Sequence, residues 1–367
     1  MQAFAALIDG LIYTRSRDLK IRLIADYLRL TPDPDRGWAL AALAGTLNIA
    51  TVKSAAIRAM AEERFDPMLF RMSRDYVGDT AETVALMWPD NSGGDVAPTV
   101  SEVIDLLNST SRARAPAVLA ELMDRLDANG RYALLKLATG GMRVGISARL
   151  AKTAFGQAFG VSVDDVEEVW HALRPPYTAL FAWGEGRTER PDPADSAFFR
   201  PFMLAHPLED GSVHLDAFVA EWKWDGIRIQ IASTGGETRL FSRGGDEVTG
   251  SFPEIAAAFK GIGVVDGELL VRGEVQGGEA ASFNALQQRL GRKNVTAAMQ
   301  AEYPVFVRLY DILFDGVEDV RSQPWTARRE RLERFTANLD PVRFDVSAVI
   351  DARDFDHLAE IRAAARE

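Results

Sequence analysis

At 367 residues, with 47% hydrophobic and 26% charged residues, the chain is long enough for two domains with separate cores, and its composition excludes disorder and collagen-like repeats. Cysteine is absent and only four histidines occur, which removes disulfides, zinc ribbons, iron–sulfur clusters and thiol nucleophiles, so any metal is expected to be held by oxygens. The formal charge of −11 argues against indiscriminate nucleic-acid coating but is uneven: residues 1–190 carry 22 Lys and Arg against 24 Asp and Glu, and residues 191–367 carry 20 against 29.

In chain order, Phe4, Leu7, Ile8, Leu11 and Ile12 recur at helical spacing, and Ile21, Ile24, Tyr27 and Leu28 repeat the figure. Thr31-Pro32-Asp33-Pro34-Asp35 stops that second helix. Helices are expected at about 37–46, 50–63 and 67–75, and another opens at Asp79 as an acidic cap. A helix starting near Pro116 is expected to end at Asn129-Gly130, and one more runs from Arg131 to Thr139, closed by Gly140-Gly141. No internal repeat of fixed period is present. Residues 184–198, polar and with two prolines, read as a linker between a helical domain at 1–183 and a second domain at 199–367.

Beyond the linker the period changes. Strands are expected at 218–231 and 238–241, joined by a turn at Thr234-Gly235-Gly236, and again at 264–271 and 305–314. Residues 282–291 and 324–339 read as amphipathic helices, and a last helix from 354 runs to the final residues without a stop signal. The second half is α+β. No segment approaches the roughly 18 apolar residues of a membrane span, and the first residues lack the pattern of a signal peptide, so an intracellular protein is expected.

The chemistry concentrates in Glu221-Trp222-Lys223-Trp224-Asp225-Gly226-Ile227-Arg228. If the chain is extended here, Glu221, Lys223 and Asp225 share one face while Trp222 and Trp224 point into a core. Only seven of the 42 basic residues are Lys, so a Lys inside so patterned a segment stands out: an amine can lose its proton and attack, whereas a guanidinium cannot. Gly226 permits a bend, after which Ile227, Ile229 and Ile231 turn inward and leave Arg228 beside the same opening. The segment reads either as a nucleophilic lysine activated by desolvation and its neighbours, or as a sheet edge with a solvated charge ladder.

Lys223-x-Asp225-Gly226-x-Arg228 resembles the nucleotidyltransferase signature of ATP-dependent DNA ligases, RNA ligases and mRNA-capping enzymes. Ser242-Arg243-Gly244-Gly245, Asp266-Gly267-Glu268 and Leu309-Tyr310-Asp311-Ile312-Leu313 follow in the family's order. Upstream, Arg200-Pro201-Phe202-Met203-Leu204-Ala205 resembles the ligase lead-in, and Gly140-Gly141-Met142-Arg143-Val144-Gly145-Ile146-Ser147 resembles part of the helical DNA-binding domain of the bacterial ATP-dependent type. Taken singly, Arg243 also reads as a hairpin-end surface residue, Asp266 to Glu268 as a turn, and Tyr310 as core.

The resemblance implies an all-helical DNA-binding domain followed by an incomplete α+β adenylation domain of the nucleotidyltransferase, ATP-grasp-like kind. It implies that Lys223 takes AMP from ATP, that Glu221 recognises adenine, and that Arg228 and Arg243 lie near ribose and phosphates. Glu268 would bind the ribose and assist Mg²⁺, and Tyr310 would stack on the purine where the family more often has Phe. Arg143, Ser147, Arg149 and Lys152 would contact phosphates of a nicked duplex. A monomer in the bacterial cytoplasm, acting in repair, replication or recombination, is the expected setting. Further strands and an OB-fold would follow Glu367 in the family, so a fragment with impaired activity is expected. The alternatives are a non-catalytic nicked-DNA-binding remnant and an RNA ligase or capping enzyme.

Overall fold

The computed structural model describes residues 1–49, 51–89, 96–191, 197–204, 218–272, 286–290, 292 and 295–364. The chain forms two compact units, Met1–Asp192 and Pro193–Glu367.

The regular structure of the first unit is α-helix alone among its described residues. In order it contains α1 (Gln2–Tyr13), α2 (Arg17–Leu30), α3 (Asp35–Leu43), α4 (Ser54–Arg64), α5 (Pro67–Val77), α6 (Thr80–Met87), α7 (Val100–Ser109), α8 (Ala115–Asp124), α9 (Ala128–Thr139), α10 (Ala148–Phe159), α11 (Val163–Trp170) and α12 (Thr178–Gly184). Side-chain caps account for many of these starts. Ser16, Asp66, Asp79, Asp127 and Ser147 accept backbone N–H groups of the helices they precede, and Thr99 with Glu102 forms a capping box. Gly140 ends α9 in the left-handed region at φ 69°, where a side chain would be strained. The stripe Phe4, Leu7, Ile8 and Leu11 is buried as its spacing predicts, but Ile12 is exposed.

One boundary differs from expectation. Asn129-Gly130 does not end a helix: α8 stops at Asp124, and Asn129 and Gly130 lie in the first turn of α9. Asp127, rather than the glycine, decides this, because its carboxylate takes the Gly130 N–H at 2.8 Å and so satisfies a donor that a helix start would otherwise orphan. In this unit, helices α7, α10, α11 and α12 have no counterpart among the helices expected from the sequence.

The second unit holds β1 (Ala220–Glu221), β2 (Ile227–Ser233), β3 (Thr238–Ser242), α13 (Pro253–Ala258), β4 (Gly263–Val271), α14 (Ala297–Glu302), β5 (Val305–Asp315), β6 (Glu318–Asp319), α15 (Trp325–Thr336), β7 (Phe344–Val346), β8 (Val349–Ile350) and α16 (Phe355–Ala364). The main sheet runs β3-β2-β4-β5-β6, antiparallel, with β7 added parallel to β5; β1 and β8 pair separately. Strand β2 alternates. Ile229 and Ile231 are fully buried and pack with Val265, Leu269, Val307 and Leu309 against Phe252, Ile255, Leu332 and Phe344, while Arg228 and Gln230 face the other side. Half of the expected helix at 282–291, residues 282–285 and 291, lies outside the described residues. Among the described residues no helix is long and apolar enough to cross a membrane.

The expected single strand at 218–231 is in fact two, joined by an irregular stretch at 222–226. Gly226 explains the break. A methyl group there would lie 2.4 Å from the Leu269 carbonyl oxygen, so the backbone enters β2 pressed against β4 in a way only glycine tolerates.

Candidate active site

Register builds the site. In antiparallel strands residues directly opposite share a face, and here Arg228 on β2 lies opposite Glu268 on β4, Glu268 opposite Arg308 on β5, and Arg308 beside Asp345 on β7. The result is a row of alternating charge across four strands on the polar face of the sheet. Arg308 grips Asp345 through two bonds at 2.9 and 2.7 Å and lays its guanidinium over the Trp224 ring at 4.1 Å. Arg228 donates to Asp266 at 3.0 Å and to the Met203 carbonyl at 3.2 Å, lies 4.0 Å over the Phe202 ring, and keeps its buried Nε without a partner among the described residues.

The face opens into a cleft of about 480 Å³ lined by Leu204, Glu221, Trp222, Lys223, Trp224, Arg228, Arg243, Glu268, Tyr310 and Ser347. All six residues singled out for nucleotide chemistry therefore meet in one place. Arg243 comes from the turn after β3, where Gly245 sits at φ 82° and lets the chain reverse. Asp266-Gly267-Glu268 is interior to β4 and not a turn, and half-buried Tyr310 faces the cleft instead of the core.

Burial sets the electrostatics. Asp266, 1% exposed, is pushed up to about 6 by burial in spite of the opposing bonds from Gln230 and Arg228. Glu268 is pushed up to about 7 by burial, against the pull of the Gly226 N–H, which it accepts at 3.2 Å, and of Arg228. Glu221 is raised by burial and held back by Arg329. Burial likewise raises the Tyr310 phenol, so the ring stays neutral.

Two expectations about the lysine segment are corrected. Lys223 is exposed at the cleft and makes no hydrogen bond with a described residue, so the fold by itself does not desolvate it. Trp222 and Trp224 do not enter a core: both are half-buried and line the same cleft, because strand alternation lapses at 222–226. The Trp224 indole donates to the Ser347 hydroxyl at 3.1 Å.

In the helical unit, Arg143, Ser147 and Arg149 are exposed, and Arg143 adopts φ 45° between two glycines of positive φ. Lys152 departs from the expected phosphate face: it is 5% exposed, bonded to Glu167 at 2.5 Å, and packed over the Trp170 ring at 4.9 Å. Its position on the inward side of α10 is the reason. Sequence reasoning missed Arg329, Ser347, Arg308 and Asp345, none of which carries a local signal; each enters the site only through pairing of distant segments.

The ATP dependent DNA ligase domain family matches residues 202–367. A probable DNA ligase of Koribacter versatilis is 29% identical over 91% of this chain and 60% of its own length. DNA ligase 1 of Korarchaeum cryptofilum is 30% identical over 64% of this chain and 45% of its own length. The chain thus spans 60% or less of the length of these relatives. A solved structure named Pmar-Lig_PreS3 shares the fold with a TM-score of 0.53 at 13% identity, over 99% of this chain and 71% of that one. Residues 202–367 are thus similar to the ATP dependent DNA ligase domain, and the relatives that the chain matches are DNA ligases.

Proposed function

We propose that this chain carries out the adenylyl-transfer chemistry of nick sealing, with Lys223 as the nucleophile. The observation that carries the reading is the convergence of Lys223, Glu221, Arg228, Arg243, Glu268 and Tyr310 on one cleft of about 480 Å³, a size that suits a nucleotide.

In this reading the neutral Lys223 amine attacks the α-phosphorus of ATP in line with the bond to the β-phosphate. The N–P bond forms, the P–O bond to pyrophosphate breaks, and the amine's proton leaves to solvent. Because the fold leaves Lys223 exposed, bound nucleotide and the flanking Trp222 and Trp224 supply the dry surroundings that the free site lacks. Tyr310 stacks on the purine, Glu221 accepts a hydrogen bond from its edge, Glu268 accepts from the ribose, and Arg228 and Arg243 offset charge that builds on the phosphates. The adenylyl group then passes to the 5′-phosphate of a nick, and attack by the 3′-hydroxyl closes the strand and releases AMP.

Among the described residues no three of His, Asp and Glu converge as a ready metal cage. Glu268 has one oxygen bonded to Gly226 and the other without a partner among them, which fits Mg²⁺ that draws most of its ligands from phosphate and water. Bound there, it would neutralise phosphate charge. The helical unit is proposed to hold the nicked duplex through Arg143 and Arg149, with Ser147 capping α10 beneath them.

The test is labelling by ATP radioactive at the α-phosphorus. Acid-labile label on the protein, absent in Lys223→Ala, is expected; label that persists in that variant sinks the assignment, and label from GTP in place of ATP would move the chain to the capping class.

A further inference from the structure

Arg329 lies on α15, 108 residues from Glu221, yet its Nη1 donates to Glu221 Oε1 at 3.1 Å and to the Ser347 carbonyl oxygen at 2.8 Å. Its Nε donates to Glu333 Oε1 at 2.6 Å. Three acceptors on separate segments fix one guanidinium whose side chain is only 13% exposed. Ser347, 1% exposed between β7 and β8, donates its N–H to the Leu309 carbonyl at 2.8 Å and accepts the Trp224 indole at 3.1 Å. Residues 221 and 224, on either side of Lys223, are thus tied to the same point.

The other oxygen of Glu221 has no partner among the described residues, and the residue lines the cleft. An ionised carboxylate only accepts hydrogen bonds. Burial alone works against that ionised form, and Arg329 works for it.

We infer that Arg329 is a positioning residue that sets base selectivity: by holding Glu221 as a fixed acceptor, it makes the cleft demand a donor on the nucleobase, the 6-amino group of adenine. The inference rests on the proposed reading in which Glu221 meets the base. Arg329 touches no nucleotide in it; it acts through Glu221. A site built around a buried acceptor rejects an analogue without the donor, because the carboxylate is then left unpaired.

The experiment compares single-turnover labelling of Lys223 in the full chain by ATP and by purine riboside 5′-triphosphate, which lacks the amine. Wild type should prefer ATP by about tenfold or more, the scale of one charge-assisted hydrogen bond. Glu221→Gln and Arg329→Met should both bring the ratio toward one, and Arg329→Lys should restore part of it. A merely structural arginine would slow both triphosphates alike and leave the ratio unchanged. Thermal melting identifies the folded variants, and Arg329→Gln replaces the Met variant should the latter fail to fold. Absence of any preference in wild type refutes the reading of Glu221. A preference that Glu221→Gln abolishes but a folded Arg329→Met or Arg329→Gln retains overturns the inference alone.

Discussion

Substitution of Gly226 by Ala tests whether the entry to β2 positions the lysine segment. The added methyl would lie 2.4 Å from the Leu269 carbonyl oxygen, 2.8 Å from Leu270 Cδ2 and 2.9 Å from Glu268 Cγ, and ordinary contact begins at 3.4 Å. The chain must therefore shift by about 1 Å away from β4, and the nearest atom is backbone, which cannot swing aside. Overpacking of this kind costs about 1–3 kcal/mol. The shift also stretches the Gly226 N–H bond to Glu268, already at 3.2 Å, and a bond to a charged group contributes about 1.5 kcal/mol or more. A loss of about 3 kcal/mol is expected in urea unfolding followed by tryptophan fluorescence. Because Lys223 is three residues upstream, a displacement of about 1 Å should slow its labelling by about 100-fold. Gly236→Ala is the control: nothing lies within 4 Å of the added methyl, so both measurements should stay near wild type. A Gly226→Ala protein with wild-type stability and labelling would refute the argument that glycine is needed for this close approach.

Other substitutions probe the rest of the molecule. Burial holds Asp266 at about 6 and Glu268 at about 7, above their values of 3.8 and 4.5 in an unfolded chain, so the native state binds these protons more tightly. The stability they contribute is full below about pH 4 and is lost as pH rises through 6 to 7; Glu268→Gln should flatten the upper part of that decline in melting temperature, and an unchanged slope would count against a buried acid there. Arg289, 0% exposed, spans Glu254 at 2.5 and 2.8 Å and the Ser251 and Tyr303 carbonyls, so Arg289→Met should cost about 3–5 kcal/mol by denaturant titration. Arg143→Ala should weaken binding to nicked duplex regardless of its sequence and lower the salt slope by about one. Lys152→Met should leave that slope alone while destabilising the helical unit by about 1–3 kcal/mol, since half-buried Glu167 loses its partner; a changed slope would return Lys152 to the DNA face.

Much of the candidate site was legible in the sequence because its members sit at characteristic places on adjacent antiparallel strands. Arg228 and Glu268 are opposite by register, and Tyr310 lies two residues beyond Arg308 on the next strand, so short motifs on β2, β4 and β5 meet once those strands pair. The helices were legible where apolar spacing was regular, as from Gln2 to Leu30, and misjudged where Asn-Gly resembled a stop but Asp127 made it a start.

What the sequence determined by itself is the set of residue types and their local periods: an amine beside carboxylates and guanidinium groups, a helical half and a strand-rich half. Tertiary structure alone decided which charges are free to meet a ligand. It buried Lys152 against Glu167 and left Lys223 exposed, two lysines that composition cannot tell apart. It also brought Arg329 across 108 residues to Glu221 and Ser347 across 123 to Trp224. The physical reason is that desolvation and pairing depend on distances between segments far apart in the chain, and nothing in a local pattern encodes those distances.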